Sequence, residues 1–161
     1  MLRLSKLTDY AVVVLIRLAE GQRGCREPRS GGEAVQTSPG ISAATGVPEP
    51  TVAKVLKALA GSSMVASLRG ARGGYRLLKP LSAISVADVI AAIDGPIALT
   101  ACVDGQHGLC EVEKLCAVKG RWDLVNDAIF QALSSITLAD MREASVPPAF
   151  RFDSRLDARA E

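Results

Sequence analysis

The residues with most chemical potential in this chain of 161 are its four cysteines, three of them in one short stretch as Cys102-x7-Cys110-x5-Cys116. Thiolates are soft, charged donors suited to iron–sulfur chemistry and to zinc. Between them lie Gly105, His107 and Gly108, which make a loop supple enough to wrap a large inorganic group. No pair has the two-residue spacing of a zinc knuckle or of a thioredoxin-like redox centre. A disulfide framework does not suit a chain with ample apolar residues for a core of its own. Spacing alone leaves three readings open: an iron–sulfur cluster (2Fe-2S or 4Fe-4S) with a fourth ligand from elsewhere, a zinc ion, or three cysteines without a ligand. His107 is the only histidine and a second donor candidate, against its plainer reading as a solvated loop imidazole. Cys25 stands apart and reads as an exposed thiol.

A second group of residues has chemistry for a polyanion. Residues 1–80 hold 12 Lys/Arg and 5 Asp/Glu, while residues 81–161 hold 7 and 12, so a net charge of +2 conceals a basic half of +7 and an acidic half of −5. Such a division fits a molecule of which one half faces nucleic acid. Within the basic half, Thr51, Lys54 and Lys57 lie off the apolar face formed by Val52, Val55, Leu56 and Leu59. Arg69-Gly70-Ala71-Arg72-Gly73-Gly74 joins two short strand-like runs, Met64 to Leu68 and Tyr75 to Leu78. Glycines let backbone approach a phosphate, and arginine suits a narrow minor groove. An ordinary flexible hairpin with solvated arginines is the plainer alternative.

The elements that must position these residues are mostly helical. Hydrophobic residues make up 48%, charged residues 22% and aromatics only 4%, a balance that excludes wholesale disorder and disfavours a β-sandwich. The apolar run Ala11 to Ile16 is too short to cross a bilayer, and no small-residue cleavage site follows it, so a soluble cytoplasmic protein with no membrane partner is expected. Leu7, Ala11, Val14, Leu15 and Leu18 predict a helix over 6–20, with Thr8 and Asp9 as its capping signal. Residues 21–38 read as a mobile loop whose Arg23, Arg26 and Arg29 face solvent. Ser38 and Pro39 open a short helix over 39–44. The Thr45-Gly46-Val47 turn leads to a second helix over 49–60, with Pro48 and Pro50 at its start.

Two short helices around a tight glycine turn, followed at once by a basic hairpin, predict a winged helix-turn-helix. Ser85-x-x-Asp88 is a capping box, and Gly95-Pro96 ends the helix that follows. From about 120 to 141 a long helix is predicted. Trp122, Val125, Ile129, Ala132, Ile136 and Ala139 alternate by three and four on it, a seam that seeks a second copy of the chain. The predicted fold is therefore mainly α: a winged helix-turn-helix with a two-stranded wing and a long C-terminal dimerisation helix. The expected division is a DNA-binding domain over 1–95, a cysteine loop over 96–118, a dimerisation helix over 119–142 and a disordered tail over 143–161. Without a Cys-x-x-Cys pair or a nucleotide-binding glycine motif, an enzyme is not expected.

Four stretches together resemble the Rrf-type family of winged-helix iron–sulfur transcriptional regulators (IscR/NsrR-like), and within it the regulators of SUF cluster assembly. They are Leu4-Ser5-Lys6-Leu7-Thr8-Asp9-Tyr10-Ala11, Leu68-Arg69-Gly70-Ala71-Arg72-Gly73-Gly74-Tyr75-Arg76-Leu77, Ile84-Ser85-Val86-Ala87-Asp88-Val89-Ile90, and the three cysteines followed by Trp122. The resemblance implies a homodimer joined through Trp122, Val125, Ile129, Ala132 and Ile136, bound to a double-stranded DNA operator. It implies an iron–sulfur cluster held by Cys102, Cys110 and Cys116. The histidine that some members carry three residues after the last cysteine is replaced by Lys119, which cannot ligate while protonated. The acidic first-helix residue that other members supply from the partner subunit falls on Asp9, with His107 as second candidate. On this resemblance the helix over 49–60 enters the major groove with Thr51, Lys54 and Lys57 as candidates for contacts to bases or phosphates, and Arg69 enters the minor groove, with Arg72 or Arg76 on phosphate. The implied function is control of iron–sulfur assembly genes. The alternative is a winged-helix regulator whose cysteines sense redox state, nitric oxide or a metal such as zinc without a cluster.

Overall fold

The structure is a computed structural model that describes residues 3–24, 35–70, 73–100, 103, 116–118 and 120–143. Helix α1 (Lys6–Gly24) is started by Ser5, whose hydroxyl accepts from the Thr8 amide at 3.1 Å. Ser5, not Thr8 or Asp9, is thus the N-cap. The helix also runs through 21–24, where the sequence predicts loop, because its C-terminal turn is tied to the wing by Gln22 Nε2 donating to the Leu77 carbonyl at 3.4 Å. Ala11, Val14, Leu15 and Leu18 form its buried stripe. Of the rest of the expected loop, 25–34 lie outside the described residues, and 35–38 are not loop, since Gln36 bridges to Tyr75 and Ser38 begins the next helix.

Helix α2 (Ser38–Thr45) is capped by Thr37, one residue earlier than predicted, whose side chain accepts from the Gly40 amide. It ends at Gly46, held at φ 74, where a side chain would be strained; the Gly46 amide closes the helix onto the Ser42 carbonyl. Helix α3 (Glu49–Gly61) carries Pro50 in its first turn, where a missing N–H costs nothing, and buries Val52, Val55, Leu56 and Leu59 against α1 and α2. Strands β1 (Val65–Leu68) and β2 (Gly74–Leu77) pair antiparallel, with Val65 opposite Leu77 and Leu68 opposite Gly74.

Gln36 adds a bridge to the wing: its amide donates to the Tyr75 carbonyl at 2.9 Å and its carbonyl accepts from the Tyr75 amide at 2.8 Å. The Gln36 carboxamide also donates to the Arg17 carbonyl at 2.9 Å, in space that a Cβ on Gly21 would occupy. The wing is therefore braced to α1 through Gln36 as well as through Gln22.

A 3-10 turn (Leu81–Ala83) leads into α4 (Val86–Ile93), whose predicted capping box is present in both directions: Asp88 N to Ser85 Oγ at 3.1 Å and Ser85 N to Asp88 Oδ2 at 2.9 Å. The helix predicted over 120–141 is two, α5 (Trp122–Ser134) and α6 (Leu138–Glu143). Between them the chain extends and pairs with the start of α4. Val86 N donates to the Ile136 carbonyl and Leu138 N to the Ile84 carbonyl, each at 2.9 Å. Thr137 and Asp140 form a second capping box that restarts the helix, with Thr137 N to Asp140 Oδ2 at 2.9 Å and Asp140 N to Thr137 Oγ1 at 3.2 Å. Leu138 enters the core fully buried. The architecture is a winged helix-turn-helix, mainly α, whose last helix, α6, returns to the same core, while α5 packs on α4.

Candidate nucleic-acid interface and cysteine segment

Burial of one face of α3 leaves the other outward. Lys54 and Lys57 are exposed one turn apart, and Thr51 is half-buried near the helix start. Arg69 is exposed beside Gly70, which sits at φ 112 and accepts from the Gly73 amide at 2.9 Å. That bond tightens the wing turn. Arg76 lies half-buried on β2 opposite Ala66, a more enclosed place than the tip. Arg72 lies outside the described residues. The described cations of α3 and the wing thus project from a scaffold braced on α1 by Gln36 and Gln22. Neither glutamine was singled out by sequence; their partners lie far along the chain and leave no local pattern.

The cysteine segment leaves the core at the end of α4. Asp94 caps that helix with its amide on the Ile90 carbonyl, and Gly95 bends the chain at φ 93. The Thr8 hydroxyl donates to Asp94 Oδ2 at 2.6 Å. Farther on, Asn126 of α5 accepts from the Leu99 amide at 3.1 Å and donates to the Ile97 carbonyl at 3.0 Å. Val103 N reaches the Thr100 carbonyl at 3.1 Å. Cys116 is a free thiol, half-buried, shortly before α5. Cys102, Cys110 and His107 lie outside the described residues, and no cluster of three metal-ligating side chains occurs among those described.

Asp9 is exposed on the first turn of α1, and its carboxylate has no hydrogen bond or ion pair with the described residues. It borders a cleft of about 320 Å³ lined also by Arg3, Ser5, Lys6, Val86 and Met141. The free thiol, on a segment with two further cysteines in sequence, is of the kind that binds iron in iron–sulfur sites, and the Asp9 carboxylate is an oxygen donor without a partner among the described residues. Of the predicted dimer residues, Trp122 and Val125 are 41% and 44% exposed and share an apolar hollow with Val118. Ile129 and Ala132 are half-buried on α5, and Ile136 is half-buried beyond the end of that helix.

Among known proteins, the family model Rrf2, an iron-dependent transcriptional regulator, matches residues 4–144. Protein aau3 of Rhizobium meliloti (strain 1021) is 29% identical over 143 residues, 89% of this chain and 86% of that protein. Rv1287 of Mycobacterium tuberculosis (strain ATCC 25618 / H37Rv), named provisionally as an HTH-type transcriptional regulator, is 31% identical over 146 residues, 91% of this chain and 84% of its own length. Among solved structures, CymR, the global cysteine regulator of B. subtilis, is similar with a TM-score of 0.63 and 26% identity, covering 91% of this chain and 100% of CymR. IscR of T. potens has a TM-score of 0.60 at 24% identity over 97% of this chain and 96% of its own, a likeness of fold. No helix among the described residues is long and apolar enough to cross a membrane.

Proposed function

The chain belongs to the Rrf2 family of transcriptional regulators, and from that premise we propose that Cys102, Cys110 and Cys116 hold an iron–sulfur cluster whose presence sets how a dimer binds its operator. DNA-binding regulation is the activity of the family; the cluster and its genes are the finer reading. In this reading α3 presents Thr51, Lys54 and Lys57 to the major groove, where base edges carry sequence information. Arg69 enters the minor groove, and Arg72 or Arg76 holds phosphate. Asp9 of the partner subunit completes the ligand set, with His107 as the second candidate. When bound, the cluster supplies a link between thiolates that responds to iron and to oxidants.

The chain's own residues do the rest. Asn126 holds the stretch before the first cysteine of the loop on α5, and Cys116 leads directly into the same helix. The paired second copy packs along Trp122, Val125, Ile129 and Ala132. A change at the cysteines therefore bears on the helix between the two reading heads. The observation that carries this reading is the free, half-buried Cys116 beside a helix whose apolar residues Trp122 and Val125 remain exposed. The output consistent with the resemblance is control of iron–sulfur assembly genes, as in SUF-system regulators.

A second reading keeps the DNA-binding scaffold and lets the same thiols sense redox state, nitric oxide or zinc without a cluster. The likeness to CymR, a cysteine regulator, favours it. Metal and sulfide analysis separates the two. Protein purified without oxygen is expected to be brown, with iron and acid-labile sulfide in equal amounts. A colourless protein with one zinc per chain overturns the cluster.

A further inference from the structure

Two polar residues are buried among those described, Thr8 and Asn126; both carboxamide hydrogen bonds of Asn126 go to one short segment, residues 94–99, and the Thr8 hydroxyl, which also lies 3.2 Å from Ser5 Oγ, donates to Asp94 at the start of it. We propose that Asn126 and Thr8 are positioning residues that fix this segment, and with it the placement of the cysteines. The proposal rests on the reading of the cysteines as ligands. Asn126 uses both sides of its carboxamide, Oδ1 as acceptor for Leu99 and Nδ2 as donor to Ile97, across 27 and 29 residues of chain. An apolar residue would pack this face of α5 without the cost of desolvating an amide. A buried carboxamide with two distant backbone partners instead specifies a single register between segment and helix.

The other end is held as closely. Asp94 sits at the C-terminus of α4, where a negative charge is unfavourable against the helix dipole. Its carboxylate accepts from Thr8, which is 1% exposed and adjoins Asp9 on α1. The segment is thereby fastened at its first residue to α1 and near its last to α5. The far end of the cysteine stretch reaches α5 through Cys116 and the turn in which Arg121 N donates to the Val118 carbonyl at 3.0 Å. Both ends of the stretch converge on one helix, and Asn126 sets the separation between them.

The test uses the full chain with Asn126→Asp, Asn126→Leu, Thr8→Val and, as the conservative control, Thr8→Ser. Each is loaded anaerobically with ferrous iron and sulfide, and loss of its visible absorption in air is timed. In parallel, alkylation of Cys116 by iodoacetamide is timed in the metal-free protein, and thermal melting reports folding. Asn126→Asp, Asn126→Leu and Thr8→Val are expected to shorten the cluster's lifetime by about tenfold, as loss of groups that orient metal ligands commonly does. They are also expected to quicken Cys116 alkylation severalfold, with Thr8→Ser close to wild type. Wild-type lifetimes and alkylation rates in folded Asn126→Leu and Thr8→Val overturn the proposal. If the wild-type chain takes up no iron, the cluster reading fails by itself, and the metal-free alkylation rates still decide whether the two residues fix the segment.

Discussion

Arg69 stands exposed just beyond β1, next to a glycine at φ 112. Removing its side chain takes away a cation without opening a cavity. Arg69→Ala is therefore expected to weaken operator binding by about 10-fold or more, in line with about 1–3 kcal/mol for a specific contact. Its melting temperature should stay close to wild type, and a fluorescence-anisotropy titration beside a thermal melt checks both. At this scale the sequence is informative wherever chemistry is local. The Ser85-x-x-Asp88 box and the Gly46 turn follow from residues a few positions apart. Asn126 and Gln36 do not, because their partners lie 27 to 29 and 18 to 39 residues away in sequence. A polar residue inside a helix pattern reads as solvent-facing until the fold brings such a partner to it.

Trp122, Val125, Ile129, Ala132, Ile136 and Ala139 keep a seven-residue rhythm, which predicts one helix, yet the helix stops at Ser134. Thr137-x-x-Asp140 repeats the pattern of Ser85-x-x-Asp88 and was the available signal for a new start. The apolar rhythm masks it, because Ile136 and Leu138 are apolar on both sides of Thr137. The two boxes face each other across the Ser85–Thr137 bridge, so each helix start helps hold the other. Thr137→Ala removes the cap of α6 and is expected to cost about 1 kcal/mol in urea unfolding, the usual worth of such a cap. A continuous helix through this position would instead gain or keep stability on the same change, since alanine is the better helix former.

For the whole molecule, the proposed function assigns α5 to the pairing of two copies and α3 with the wing to the operator. The exposed hollow of Val118, Trp122 and Val125 is apolar, and Leu124 beside it is 77% exposed, more than a lone helix ordinarily leaves to water. Val125→Glu places a charge in that seam and is expected to convert a dimer to monomer in sedimentation while leaving the melting of the winged core near wild type. A dimer that survives the change would put the contact elsewhere. Winged domains, α3 faces and the order of parts were legible because apolar spacing and glycine turns dictate them. How the cysteine segment is anchored was not, since that depends on contacts between α1, the end of α4 and α5 that only the folded chain assembles.

Linkage between the cysteines and DNA is what the proposed function depends on most. Operator affinity of the full chain, measured anaerobically with iron and sulfide bound and again after their removal, over a range of salt concentrations, reads that linkage. A difference of about 5- to 150-fold at each salt concentration, the range of allosteric couplings, is the expected result. Identical affinities and identical salt slopes for the two forms would contradict it.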